Sequence, residues 1–119
     1  MKKILIIEDD PDIVDLIEIH LKDLHCLVDK CYDGEKGLEM ALSGDYNLIV
    51  LDLMLPGIGG LATLEKIQSL DQDIVVVMIT AFASIENAVR ATKLGAFDFV
   101  TKPFDTKIFL QKVEKLIGK

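Results

Sequence analysis

Branched apolar residues recur along the chain in short unbroken runs: ILII at 4–7, LIVL at 48–51, IVVVMI at 74–79 and the weaker FDFV at 97–100, with CLVDKC at 26–31 as an amphipathic fifth. Continuous runs of this kind suit strands buried on both faces, as in a parallel sheet. The intervals between them are long enough for crossover helices. The first, PDIVDLIEIHLKDL, puts Ile13, Leu16, Ile17, His20 or Leu21, and Leu24 on one helical face and turns Asp12, Asp15, Glu18 and Lys22 to water. Boundary residues agree. Asp10 before Pro11 reads as an N-cap followed by the first helical position, Ser84 caps the fourth helix, and Gly44 and Gly95 read as helix stops.

Five strands alternating with five helices predict an α/β fold, (βα)5, doubly wound and flavodoxin-like. It is a five-stranded parallel sheet of order 2-1-3-4-5 with helices on both faces, in one domain over residues 1–119. No linker, repeat or low-complexity segment interrupts it. Ligands of open α/β sheets bind beyond the carboxyl ends of the strands, where the strand order reverses. Those ends carry Glu8-Asp9-Asp10 after strand 1, Asp52 after strand 3, Thr80-Ala81 after strand 4 and Lys102-Pro103 after strand 5. In this order strands 1 and 3 are neighbours, and their acids share one pocket.

Length and charge narrow the classes. The 119 residues can bury one core but not two. With 13 basic against 20 acidic residues and a formal charge of −7, unspecific binding to nucleic acid or to an anionic membrane is not expected. Cys26 and Cys31 lie five residues apart in a predicted strand and so point to opposite faces, which suits a reduced, cytoplasmic protein better than a disulfide. IVVVMI is far too short to span a membrane, and MKK followed by four apolar residues makes no signal peptide.

The chemistry follows from the acids. Three carboxylates, Glu8, Asp9 and Asp52, crowded together repel by roughly 4 kcal/mol per pair at about 4 Å and an effective dielectric near 20. A magnesium ion offsets this, because it takes hard oxygen ligands and is held by one or two carboxylates plus phosphate oxygens. Adding Lys102 brings the formal site charge to zero. Asp52 can then attack phosphorus to form an acyl phosphate. Lys102, the Thr80 hydroxyl and nearby backbone N–H groups would take the phosphoryl oxygens, and Ala81 is small enough to leave the group room.

Four motifs, IIEDD (6–10), LIVLDLMLPGIGG (48–60), MITAFAS (78–84) and GAFDFVTKPFD (95–105), are each weak alone but highly specific in this order and spacing. Through them the chain resembles the receiver domain of two-component response regulators over essentially its whole length. The resemblance implies that Asp52 is the phosphoacceptor and that Glu8 and Asp9 are the metal-binding acids, with the backbone carbonyl of Met54 completing the protein ligands. The ion implied is Mg2+, for which Mn2+ can substitute. Thr80 would be the switch hydroxyl, Lys102 the phosphate-pairing lysine before a cis Pro103, and Phe99 the aromatic switch residue, alternating between outward and inward rotamers. Glu8 stands where Asp is commoner, and its longer arm allows contact with the ion directly or through water. Phe99 lacks a hydroxyl, so any contact needing one is absent.

The implied activity is that of a signalling switch and not an enzyme, beyond metal-dependent self-phosphorylation from small donors and autodephosphorylation. Its donor would be a sensor histidine kinase or phosphotransfer protein. Its output would pass through the helix 4–strand 5–helix 5 face to an effector domain or downstream protein, and that face could pair with a second copy. The stretch TAFASIENAVRATKLGAFDFVTKPFD resembles receivers attached to sigma-54 enhancer-binding ATPases more than those of winged-helix regulators.

Several of these residues also have plain structural readings. The cap role of Asp10 explains it without metal ligation. Thr80 can be an ordinary strand-end hydroxyl, Lys102 a solvated loop lysine, and Phe99 static packing beside Phe97 on one sheet face. His20 and His25 read as helix-face and helix-end residues, Asp71 and Asp73 as turn residues. Three rival functions remain. A small magnesium-dependent phosphatase of the haloacid dehalogenase type would place its nucleophile in a DxD after the first strand, which EDD does not supply. A flavin or nucleotide binder needs a loop rich in Gly, Ser and Thr where this chain has EDDP. A constitutive pseudo-receiver would lack part of the site set.

Overall fold

The computed structural model describes residues 1–70, 73–81, 84–102 and 106–118. The elements alternate as expected: β1 (Lys3–Ile7), α1 (Pro11–Asp23), β2 (Leu27–Cys31), α2 (Gly34–Ser43), β3 (Leu48–Asp52), α3 (Gly60–Leu70), β4 (Val75–Thr80), α4 (Ile85–Lys93), β5 (Asp98–Thr101) and α5 (Thr106–Ile117). All pairings are parallel and the order is β2-β1-β3-β4-β5.

The unbroken apolar runs are explained by burial on both sides. Ile4, Ile6, Leu48, Val50, Val77 and Ile79 pack against α1 and α5. The alternate residues Leu5, Ile7, Ile49, Leu51, Val76 and Met78 pack against α2, α3 and α4. Each such side chain contributes about 1.5–3 kcal/mol by leaving water. The parity rule also holds for the cysteines: Cys26 lies in the first layer and Cys31 in the second, both free and buried.

Asp10 caps α1 by accepting from the Asp12 amide at 3.0 Å, with Pro11 at the first helical position, and Ser84 caps α4 by accepting from the Asn87 amide at 3.0 Å. Gly95 follows α4 with φ of 107°, a left-handed stop that a side chain disfavours.

The face of α1 differs from the expected one. Val14, Ile17 and Leu21 form the buried stripe, whereas Leu16 is 42% exposed. A helix laid on the middle of a sheet buries a narrow stripe, and an apolar residue about 100° from its centre falls outside it. Glu18, expected in water, is half-buried and pairs with Lys30 at 3.1 Å and Lys22 at 3.5 Å. Phe97 was expected to share a sheet face with Phe99, but β5 begins at Asp98. Phe97 stands exposed before it, while Phe99 is half-buried against the α2–α3–α4 layer. Asp71 and Pro103, with its expected cis bond, lie outside the described residues. Among the described residues no helix is long and apolar enough to cross a membrane.

Candidate functional site

Register builds the site. Ile7 pairs with Leu51, so the next residue of each strand, Glu8 and Asp52, come side by side at the carboxyl edge. Asp52 in turn pairs with Ile79, bringing Thr80 to the same edge, and Thr80 pairs with Thr101 immediately before Lys102. Two backbone bonds continue the ladder past the strands: Leu53 donates to the Ile79 carbonyl at 2.9 Å, and Lys102 donates to the Thr80 carbonyl at 2.7 Å.

Glu8, Asp9 and Asp52 each offer a carboxylate oxygen within 4.8 Å of the others. Asp10 is not part of this group, consistent with its cap role. Glu8 and Asp52 are buried, Asp9 is exposed, and Thr80 is buried beside them. The Lys102 ammonium donates to Glu8 Oε2 at 2.7 Å and to Asp52 Oδ2 at 3.3 Å. The remaining carboxylate oxygens are also held: Glu8 Oε1 accepts from the Asp10 amide at 3.1 Å, and Asp52 Oδ1 accepts from the Met54 amide at 3.1 Å. Ala81 sits exposed at the rim.

Burial pushes the Glu8 carboxyl up to about 7; the Lys102 hydrogen bond works against this, while the negative charge of Asp52 adds to it. Burial alone would lower Lys102, but the Glu8 hydrogen bond and the charges of Asp52 and Glu8 outweigh it and hold the ammonium above the ordinary lysine range. Three carboxylates answered by one lysine leave two negative charges, the charge a divalent cation carries. Hard oxygen donors at this spacing, open to solvent on the Asp9 side, fit magnesium.

The loop after β3 is shaped by a residue the sequence reading passed over. Gly60 donates to the Leu53 carbonyl at 3.0 Å, and a Cβ there would run into the Asp52 carbonyl oxygen and lie 2.6 Å from Leu53 Cα. Only glycine lets α3 start this close beneath the acid. Thr63, fully buried, ties the same turn by donating to the Gly59 carbonyl at 2.7 Å. The signal was present as the GG pair opening a helix. A recess of ≈ 230 Å³ beside the loop is walled by Leu53, Met54, Ile58, Leu61 and Asn87.

Comparison with known proteins gives concordant results. The sequence profile of the "Response regulator receiver domain" family matches residues 4–114. The response regulator ArlR of Staphylococcus saprophyticus is 40% identical over 119 residues, the whole of this chain but 54% of that protein, so the chain spans about half the length of that relative. Among solved structures, a response regulator receiver domain protein (CheY-like) from Methanospirillum hungatei superposes with a TM-score of 0.94 at 32% identity, covering 99% of this chain and 95% of that one. A response regulator protein from Burkholderia pseudomallei, solved with a phosphorylated aspartic acid and a calcium ion, superposes with a TM-score of 0.86 at 26% identity, covering 92% of this chain and 65% of that one.

Proposed function

The chain belongs to the response regulator receiver domain family, and from that premise we propose that it is a phosphorylation-dependent switch with Asp52 as phosphoacceptor. One observation carries the reading: Glu8, Asp9 and Asp52 converge within 4.8 Å while Lys102 bonds both buried acids. Glu8, Asp9, Asp52 and the Met54 carbonyl would hold magnesium or manganese. When bound, the ion would supply positive charge against these carboxylates and an incoming phosphoryl group. The phosphorylated aspartate and the cation in the Burkholderia structure support the same assignment.

Asp52 attacks the phosphorus of a phosphohistidine on a partner kinase or phosphotransfer protein. The N–P bond breaks as the O–P bond forms, and the imidazole leaves with its electron pair. Lys102 then passes from a carboxylate pair to a phosphoryl oxygen, and the Thr80 hydroxyl turns toward another. Phe99, half-buried against the layer that holds Ala91 of α4, moves into the vacated space. The α4–β5–α5 face changes as a result. Phosphorylation biases two existing states by its differential affinity for them. The chain is one receiver domain over 1–119, and its likeness to receivers of enhancer-binding ATPases rests on residues 80–105 alone.

The test is intact mass after incubation with a small phosphodonor and magnesium. The wild type gains one phosphoryl group; Asp52→Asn and a chelated sample do not, and an equal gain in the mutant moves the acceptor elsewhere. With a phosphoryl mimic, NMR signals of Thr80, Phe99 and α4 shift together; movement confined to residues touching Asp52 removes the switch. Rapid turnover of a generic phosphate ester would favour the phosphatase reading instead.

A further inference from the structure

Among the described residues four polar side chains are buried: Glu8, Asp52, Thr80 and Thr63. The first three belong to the acidic site, and the fourth lies one turn into α3. A hydroxyl taken out of water costs stability unless it is bonded, so an aliphatic residue would have served this core position as well. The Thr63 hydroxyl donates to the Gly59 carbonyl at 2.7 Å, and the Thr63 amide donates to the same oxygen at 3.1 Å. Gly59 stands immediately before α3 with φ of 81°. Two donors from one residue therefore fix the peptide at this left-handed turn.

The hydroxyl is held in its place from behind by α2. Gly34, the first residue of that helix, is buried against it: a Cβ there would lie 2.6 Å from Thr63 Oγ1 and 3.1 Å from Ile58 Cγ1. The next residue, Glu35, sets its carboxylate against the loop's other left-handed glycine, so that a Cβ on Gly57, with φ of 77°, would meet Glu35 Oε1 at 2.8 Å. Asp33 keeps this turn of α2 wound by accepting from the Lys36 amide at 2.7 Å. The loop from Leu53 to Gly60 thus has the first turn of α2 at its back and the acids at its front.

At the front, the Met54 amide donates to Asp52 Oδ1 at 3.1 Å and the Gly60 amide to the Leu53 carbonyl at 3.0 Å. The Met54 carbonyl lies between these two anchors. A backbone carbonyl cannot reach an ion by turning a side chain; the dihedral angles of the loop aim it. Glycines at 57 and 59 leave those angles many choices, and a ligand that must first be ordered binds more weakly. We propose that Thr63 is a positioning residue for the cation: by pinning the Gly59 peptide against α2 it selects the loop conformation that points the Met54 carbonyl at Glu8, Asp9 and Asp52. This rests on the reading of those acids as a cation site and deepens it, because α2, which contributes no ligand, becomes part of the site through Gly34.

The test is a magnesium titration of the whole chain followed by amide NMR, with urea unfolding of each variant in chelator alongside. Thr63→Val keeps the shape and removes the hydroxyl; its magnesium dissociation constant should rise about tenfold, and Thr63→Ser should bring it back to within about twofold of the wild type. Gly34→Ala should weaken binding by itself but add little to Thr63→Val, whose hydrogen bond is already gone. Self-phosphorylation of Thr63→Val from a small donor should be slow at limiting magnesium and regain the wild-type rate at saturation. A merely structural role would lower the urea midpoint and leave the dissociation constant of the folded chain where it was. An unchanged constant in folded Thr63→Val, or equal weakening in Thr63→Ser, overturns the proposal; if Thr63→Val does not fold, an unchanged constant in Gly34→Ala overturns it. Asp52→Asn separates the two readings: undiminished binding in that variant removes the cation site itself, whereas binding lost there and untouched at Thr63 removes only the positioning role.

Discussion

Glu8 is a carboxylic acid that the fold takes out of water. It is fully buried beside Asp52, and its carboxyl is pushed up to about 7 from 4.5. Between those values the folded chain keeps a proton that the unfolded chain releases. The stability Glu8 confers is therefore complete below pH 4.5 and is lost as pH rises through 7. In chelator, Glu8→Gln should be more stable than the wild type at pH 8, by on the order of 2–3 kcal/mol, and nearly equal to it at pH 4. Urea unfolding at the two values reads this directly, and a difference independent of pH would contradict it. A divalent cation must displace the same proton, so its affinity rises over the same interval. Composition and spacing revealed that these acids meet, but not that Lys102 would hold Glu8 and Asp52 together before any phosphoryl group arrives. That pairing depends on the β4–β5 register, which no local pattern encodes.

At the scale of elements, the apolar runs at 4–7, 48–51 and 74–79 and the caps at Asp10 and Ser84 made order and topology legible, because strands buried on both faces leave no polar alternation. What periodicity missed was rotation. The pattern of α1 admits two overlapping stripes, one with Leu16 and one with Val14, and the sheet beneath chooses the second. Ile17→Ala should cost about 2–5 kcal/mol while Leu16→Ser stays within about ±0.5 kcal/mol, measured by denaturant midpoints at constant slope. A comparable loss at both positions would place Leu16 in the core after all. Gly60 escaped for a related reason: a close approach between α3 and the Asp52 carbonyl is a tertiary fact, and a glycine before a helix reads locally as an ordinary turn.

For the whole molecule, the proposed cation ligands lie at the ends of β1 and β3, so a bound cation would tie these two neighbouring strands together. Magnesium at about one hundred times its dissociation constant should add about 2.7 kcal/mol of stability. The melting temperature followed by circular dichroism should rise by several degrees and return on chelation. Asp52→Asn should lose most of that rise; an undiminished rise would put the ion elsewhere. The chain has no tryptophan, yet it carries two natural reporters. Cys26 and Cys31 are sealed in separate apolar layers on opposite sides of the sheet. The rate at which a thiol reagent reaches each one times the opening of its own half. Matching rates mean the sandwich comes apart as a single body, and a faster Cys31 means that the side bearing α4 loosens first.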